Sequence, residues 1–361
     1  MSTRITTADI GSLSPAGRAA WVAIQQSDRT FESPYFHPGW SEAVGRHRNV
    51  VVAIVRDDTG QPVGFWPLER QGSTATAVGA PLNDYQGCIM RAGTPIDVPQ
   101  LLAAAGVRRW HFDHLLASQP GMDGFTDRSE TSPIMDLTGG ADAYLARISK
   151  GGRRQIKSIW KKAERMTDDC GPVRFDADCR DAGVLDQLLE WKSAQYVSTG
   201  LPDVFAPRWT GDLLHDLLAK QPDGDAFCGR MAALWTGDRL AAAHFGLRSG
   251  PVIHWWFPTY DDDLADYSPG WQLLVQMIDA AQGEGVDRID LGKGESQFKR
   301  KVMTGEVALR EGVIEPSALR RTVRRTALEL KERLKQTPLR TALQGPARWL
   351  FHRNVARTLE S

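Results

Sequence analysis

Asp290 stands in an otherwise apolar run, Arg288-Ile-Asp-Leu291, immediately before a glycine-rich turn. A carboxylate there would sit partly desolvated, an environment that suits a general base. A hydrogen-bonded strand-end aspartate that shapes the turn fits the same position. Glu295 and Lys299 follow at i, i+4, a spacing that pairs them on one helix face. They would form either a surface pair or a substrate contact at the mouth of a cleft. His254 lies mid-strand between Ile253 and Trp255, as a base or as a hydrogen-bonded core histidine. His244, on the neighbouring strand, poses the same choice. Tyr260 and Asp261, with Asp262 and Asp263, open an acidic loop suited to a cationic amine or to plain solvation.

Two further segments could hold an anion. Ser268-Pro269-Gly270, running on through Trp271, Gln272 and Leu273, has Ser at the N-cap and Pro at the first helical position. A strand that delivers the chain to such a helix start presents backbone N–H groups and a positive dipole end, as a pyrophosphate requires. Upstream, Lys150, Arg154, Lys157 and Lys161 share one helical face, with Arg153, Lys162 and Arg165 beside them. That face is either a solvated charged helix or a seat for phosphates.

The elements that must position these residues come twice. Phe36-His-Pro-Gly-Trp40 returns as Phe205-Ala-Pro-Arg-Trp209, the strand-turn-strand Val51–Leu68 as Gly229–Leu247, and Gly106–Phe112 as Gly285–Leu291. Offsets of 169, 177 (between the hairpin turns at Gly60 and Gly237) and 179 residues in one order indicate a duplicated domain, since the period is too long for a solenoid. In the first half the pattern predicts a helix around Ala16–Gln26, a hairpin of Val50–Val55 with Val63–Glu69, and short strands at Thr76–Gly79 and Cys88–Arg91. A helix Val98–Ala105, a strand Arg109–His114 and a closing strand Ile134–Leu137 complete it. In the second half it predicts a helical stretch Ala141–Met166 interrupted at Gly151-Gly152, helices Val184–Tyr196 and Trp209–Lys220, and strands Phe227–Leu234, Leu240–Arg248 and Val252–Phe257. The Ser268 helix, the strand Arg288–Leu291, a polar segment Gly292–Thr304 and a last strand Ala308–Ile314 follow.

Composition narrows the class. Hydrophobic residues at 42% and charged residues at 24% are ordinary for a soluble globular chain. The four cysteines (Cys88, Cys170, Cys179, Cys228) are scattered, so reduced thiols and no metal site are expected. Nothing reads as a signal peptide or a membrane span, which predicts a cytoplasmic location. The twelve tryptophans either fill the core or line a groove. Residues 316–361 carry eleven Lys/Arg against three Asp/Glu, a net of +8, which leaves −8 on the body. With Trp349 and Phe351 among arginines, this tail suits an anionic bilayer at the inner face of a membrane, or docking on the acidic body.

Several stretches together resemble a known family. Ser33-Pro34-Tyr35-Phe36 with Trp40, Gly64-Phe-Trp-Pro67-Leu68 and Asn83-Asp84-Tyr85-Gln-Gly87 are its first-half pattern. Leu189-Glu-Trp-Lys192-Ser-Ala-Gln195-Tyr196, Thr199-Gly200, Tyr260-Asp261, Ser268-Pro269-Gly270 and Gly292-Lys-Gly294-Glu295-Ser-Gln-Phe298-Lys299 are its second. Over roughly residues 30–315 the chain resembles the tandem GNAT acyltransferases of the FemAB-like and CelD-like branch. It departs from them in lacking the Gly-x-Gly/Ala phosphate signature and in having Phe298 where a tyrosine is expected. Thr94-Pro95 precedes a shorter helix than Ser268-Pro269 does, so the first copy is expected to be degenerate.

The resemblance implies an α/β (α+β) fold of two tandem GNAT-like domains with mixed, mostly antiparallel sheets. An acceptor-groove domain would span residues 1–139, a donor-binding and catalytic domain 140–315, and a basic helical tail 316–361. It implies acyl transfer from acetyl-CoA or a longer acyl-CoA, bound as co-substrate at Ser268–Leu273, to a polysaccharide, a sugar precursor or another envelope-related acceptor. Asp290, Glu295 or His254 would handle the proton, and Lys299, Tyr260, Asp261, Lys192 and Tyr196 would contact substrate. FemAB-like relatives imply an alternative, an aminoacyl-tRNA donor. A non-catalytic subunit of a polysaccharide synthase complex is the other reading.

Overall fold

The computed structural model describes residues 3–221 and 227–315, with Ser317, residues 322–324 and Thr326 beyond them. The first half runs β1 (Arg4–Asp9), α1 (Pro15–Ser27), α2 (Pro38–Gly45), β2 (Val50–Arg56), β3 (Pro62–Gln71), β4 (Thr74–Thr76), β5 (Ile89–Met90), α3 (Val98–Ala104), β6 (Arg109–Leu116) and β7 (Thr126–Asp136). The second half runs α4 (Gly140–Arg147), α5 (Lys150–Cys170), β8 (Val173–Asp176), α6 (Ala182–Thr199), α7 (Arg208–Ala219), β9 (Cys228–Thr236), β10 (Arg239–Ser249), β11 (Val252–Tyr260), α8 (Pro269–Ala280), β12 (Arg288–Asp290), α9 (Gln297–Val302) and β13 (Gly305–Ile314).

The strands form one continuous sheet in the order β1-β2-β3-β4-β6-β13-β7-β12-β11-β10-β9-β8, with β5 beside β3. Read inward from either edge, the two halves present the same succession, as the repeat predicts. The last strands are exchanged: β13 lies against β6 and β7 against β12, so each half completes the other's sheet. The two strands also pair with each other from Gly305↔Ile134 to Gly312↔Thr126. The halves are thereby fused edge to edge, and a cleft at their junction receives residues from both.

One apolar cluster spans that junction, joining Trp21, Phe36, Trp40 and Phe65 to Leu214, Phe227, Phe245 and Phe257. Trp21, Trp40, Trp66 and Trp110 are essentially fully buried, so much of the tryptophan content is core. A second cluster lies within the second half and a third within the first.

Three local differences from the sequence reading have physical causes. The helical region breaks at Ile148–Ser149, and the glycines sit inside α5. Ser149 caps α5 by accepting the Gly152 N–H at 3.0 Å. Gly152 is required by contact: a Cβ there would stand 2.1 Å from the Lys301 carbonyl oxygen. The closing strand of the first half begins at Thr126 rather than Ile134, because polar residues 126–133 are held by the β13 ladder rather than by their own propensity. The polar segment after Gly292 contains α9, capped by Ser296, whose Oγ accepts the Lys299 N–H.

No described helix is long and apolar enough to cross a membrane. The tail 316–361 lies almost wholly outside the described residues. Arg324 within it forms ion pairs with Asp127 (3.0 Å) and Glu315 (2.9 Å) of the body.

Candidate active site

β11 and β12 run side by side for three residues only, Val252↔Arg288, Ile253↔Ile289 and His254↔Asp290. Beyond that point they separate. The chain after Asp290 turns to β7, where Leu291 and Gly294 donate to Pro133 and Thr131 carbonyls, both at 2.9 Å. β11 continues along β10 to Tyr260. His254 and Asp290 therefore sit at the apex of a wedge. On its other edge β11 bulges, with Trp255 and Trp256 opposite the single residue Gly246. The bulge is fixed by His244, whose Nε2 accepts the Trp256 N–H at 3.2 Å and whose ring stacks on Trp255 at 4.2 Å. An accepting Nε2 is unprotonated, and burial, together with the nearby His254, pushes the His244 pKa down to about 3. His244 thus supports the strand and is not a base on the cavity.

A cavity of about 730 Å³ opens from the wedge. Asp84 and His114 reach it from the first half, Lys192 and Gln195 from α6, and Trp255, Trp256, Pro258, Thr259 and Tyr260 from β11. Ser268, Gly270 and Trp271 of the α8 turn form another wall, and Gly292, Lys293, Phe298 and Lys299 close it.

Its charged floor is a chain of alternating carboxylates and imidazoles crossing the junction. His114 donates from Nδ1 to Asp113 at 2.9 Å and from Nε2 to Asp84 at 3.2 Å. His254 Nε2 meets the other Asp84 oxygen at 2.8 Å, and its Nδ1 is 3.9 Å from Asp290. Burial opposes the charge on Asp84, but the hydrogen bonds from His114 and His254 outweigh it and hold the carboxyl well below its usual range. Burial also opposes charge on His114, yet Asp113 and Asp84 raise its pKa to about 9. Asp84 is therefore a carboxylate, and His114 an imidazolium, at neutral pH. Tyr35 and Tyr85 flank His254 with ring centroids at 5.0 and 6.4 Å. Burial and the nearby carboxylates raise both hydroxyls, so they stay protonated.

His114 carries a stability prediction. Its folded pKa of about 9 lies above its ordinary 6.5, so its stabilisation is fully present below pH 6.5 and lost as pH rises through 9. The size is on the order of 3 kcal/mol. Urea unfolding of the native chain should show this loss between pH 6 and 9.5, and His114→Gln should flatten it. Parallel pH profiles for the two proteins would contradict the assignment.

The structure gathers some expected residues and disperses others. His254 is at the apex, fully buried behind Asp84. Asp290 is also fully buried and does not line the cavity. It accepts from Ser132 Oγ at 3.0 Å and the Gly292 N–H at 3.3 Å, and His254 stands between it and the cavity-lining Asp84. Glu295 is exposed and pairs with Arg300 at 3.1 Å, not with Lys299, because α9 begins after it. Lys299 turns inward, donating to the Gly292 and Lys293 carbonyls at 2.8 and 2.9 Å. Tyr260 and Lys192 line the cavity, and Tyr196 packs against the Lys192 ammonium. Asp261 instead accepts from Arg239 and caps its own loop.

At the α8 turn, Ser268, Gly270 and Trp271 face the cavity, while Pro269, Gln272 and Leu273 are buried in the fold. Ser268 adopts a left-handed conformation (φ 56°) and does not cap the helix with its side chain. Its Oγ accepts from Lys162 Nζ at 2.8 Å. The Ser268 N–H is taken by Ala265, and those of Trp271 and Gln272 by Ser268 itself. Among the described residues the Gly270 N–H is left for a ligand. The turn is a sparser anion seat than its cap order suggests.

Asp84, Asp113 and His114 were not singled out from sequence. Asp84 stands in the Asn83–Gly87 stretch that carries the family resemblance, which was the available signal. Asp113 and His114 lie at the end of a plain strand, and only the tertiary fold brings them to Asp84.

Residues 151–300 match the family described as acetyltransferase (GNAT) domain. No curated protein matches the sequence significantly. Among solved structures the fold is similar to FemX, at 10% identity over 87% of this chain and 96% of that one, with a TM-score of 0.58. It is similar to the C-terminal DUF2156 domain of an Agrobacterium fabrum protein, at 14% identity over 87% and 96%, TM-score 0.50. A tandem GNAT protein from the clavulanic acid biosynthesis pathway aligns over 88% of this chain and all of that one at 11% identity, TM-score 0.47.

Proposed function

We propose, from the match of residues 151–300 to a GNAT acetyltransferase domain, that the protein transfers an acyl group from an acyl-coenzyme A thioester to a hydroxyl or amine of a polysaccharide, a sugar precursor or another envelope-related acceptor. The observation that carries this reading is the wedge between β11 and β12. It has an Asp84–His254 pair at its apex and the α8 turn on one wall of the same cavity. The donor phosphates would lie at Gly270 and Lys162, with the thioester extended along β11 towards the apex. The acceptor would enter beside α6. Its nucleophilic atom, hydrogen-bonded through its N–H or O–H to the Asp84 carboxylate, attacks the carbonyl carbon. The C–S bond then breaks, and the sulfur takes up the proton that the acceptor atom gives up, so coenzyme A leaves as the thiol. His254 and the His114 imidazolium hold Asp84 in place as a carboxylate. The first half supplies acidic machinery as well as an acceptor wall.

Calorimetry with acetyl-CoA tests the donor. One binding event per chain is expected. Gly270→Glu, which puts bulk and negative charge at the phosphate position, should weaken it about 100-fold or more with little change in melting temperature. A native protein that binds no acyl-CoA would remove this reading.

One observation favours a second donor, an aminoacyl-tRNA as in FemAB-like proteins. Among the described residues only the Gly270 N–H of the α8 turn is left for an anion, a sparse seat for a pyrophosphate. Meanwhile Lys150, Arg154, Lys157 and Lys161 lie exposed on α5 with Trp160 among them. Protection of a tRNA by residues 150–165, together with absent acyl-CoA binding, would decide for it. Contact of the tail with an anionic membrane face belongs to either version. The Arg324 ion pairs support seating of the tail's beginning on the body.

A further inference from the structure

Lys192 projects from α6 onto β11, and its ammonium is largely withdrawn from water. Its polar partners are neutral: the Gln195 amide oxygen at 2.7 Å and the Pro258 carbonyl at 3.1 Å. The Tyr196 ring lies 5.6 Å away. Among the described residues no carboxylate comes within ion-pair distance of it. Lys299, on a different wall of the same cavity, is in the same condition, held by two carbonyls. The third lysine there, Lys293, is paired with Glu311 at 2.6 Å. The carboxylate lining the cavity, Asp84, is already engaged by two imidazoles.

A desolvated ammonium without a counterion is costly, and burial accordingly lowers Lys192 to about 8. Two of its three N–H groups are used by neutral oxygens, which fix the ammonium and leave the third for a ligand. Lys192 stands beside α6 and Pro258, whereas Lys162 serves the α8 end through Ser268. The anion that completes Lys192 is therefore on the acceptor side.

We propose that Lys192, assisted by Lys299, binds an anionic group of the acceptor, a carboxylate or phosphate carried near the atom that is acylated. The proposal rests on the acyl-transfer reading for what the bound molecule does, but the binding itself is testable without any donor.

The probes are matched pairs that differ in one anionic group: glycine against glycinamide, and glucosamine 6-phosphate against glucosamine. Binding to the full-length protein is followed by tryptophan fluorescence, since Trp255, Trp256 and Trp271 line the cavity. At least one anionic member is expected to bind about tenfold more tightly than its neutral partner. Lys192→Met should erase that preference with an unchanged melting temperature, and Lys192→Arg should retain most of it. Lys162→Met should leave it intact. Equal binding within both pairs, no binding by either anionic probe, or a preference that survives Lys192→Met would overturn the proposal. A preference lost in Lys162→Met instead would place the anion at the donor end and overturn it too. Failure of acyl-CoA to bind or react would remove the acyl-transfer reading while leaving this outcome to stand on its own.

Discussion

Asp84→Asn is expected to lower turnover about 100- to 1000-fold while leaving donor affinity within about twofold. The change keeps the side-chain shape and removes the carboxylate that orients the attacking atom. It also deprives His114 and His254 of the carboxylate between them, so the pH profile of the residual activity should change shape. Asp290→Asn should cost much less, because Asp290 is sealed behind His254 and bonded to Ser132 and Gly292. His254→Gln should fall between, since it removes the imidazole at the wedge apex but leaves Asp84 facing the cavity. Steady-state kinetics on purified protein would check the ranking. A fully active Asp84→Asn beside an inactive Asp290→Asn would invert the assignment and make the buried strand aspartate the essential carboxylate.

The contrast between those two aspartates shows what the sequence could and could not convey. Asp290 drew notice because it interrupts an apolar run, and that is a sound sign of burial. Burial alone does not say whether the side chain faces a cavity or a strand. Here β7, exchanged in from the first half, brings Ser132 over it. Asp84 sits in a loop of ordinary polarity, and its importance comes from two histidines that lie 30 and 170 residues away. Periodicity reports local environment, and such a constellation is not local.

The same logic separates the repeat from the exchange. Matching landmarks exposed two copies of one strand order, and the sheet bears that out. Nothing in β7 or β13 announces that each would pair with the other copy, because a strand's alternation specifies a face and not a partner. The Ser268 turn is the converse case. Its residue order identified the helix start correctly, yet a left-handed Ser268 turned towards Lys162 could be seen only once α5 was laid beside α8.

Gly246→Ala should be the most damaging single methyl in the second half. Gly246 faces the two-residue bulge of β11, and a Cβ added there would stand 2.1 Å from the His254 carbonyl oxygen and 2.7 Å from the His244 ring. Neither neighbour can yield cheaply. The first is backbone, and the second is stacked on Trp255 while holding the Trp256 N–H. Overpacking of this kind costs about 1–3 kcal/mol, and the upper end is expected where backbone must move. Whatever shift relieves the clash also carries His254, whose Nε2 sits 2.8 Å from Asp84, so turnover should fall even at temperatures where the variant is folded. Urea unfolding combined with activity measured well below the melting transition separates the two effects. A variant of native stability would mean that β10 and β11 adjust freely at the bulge. A destabilised variant with native turnover would mean that His254 need not be placed by it.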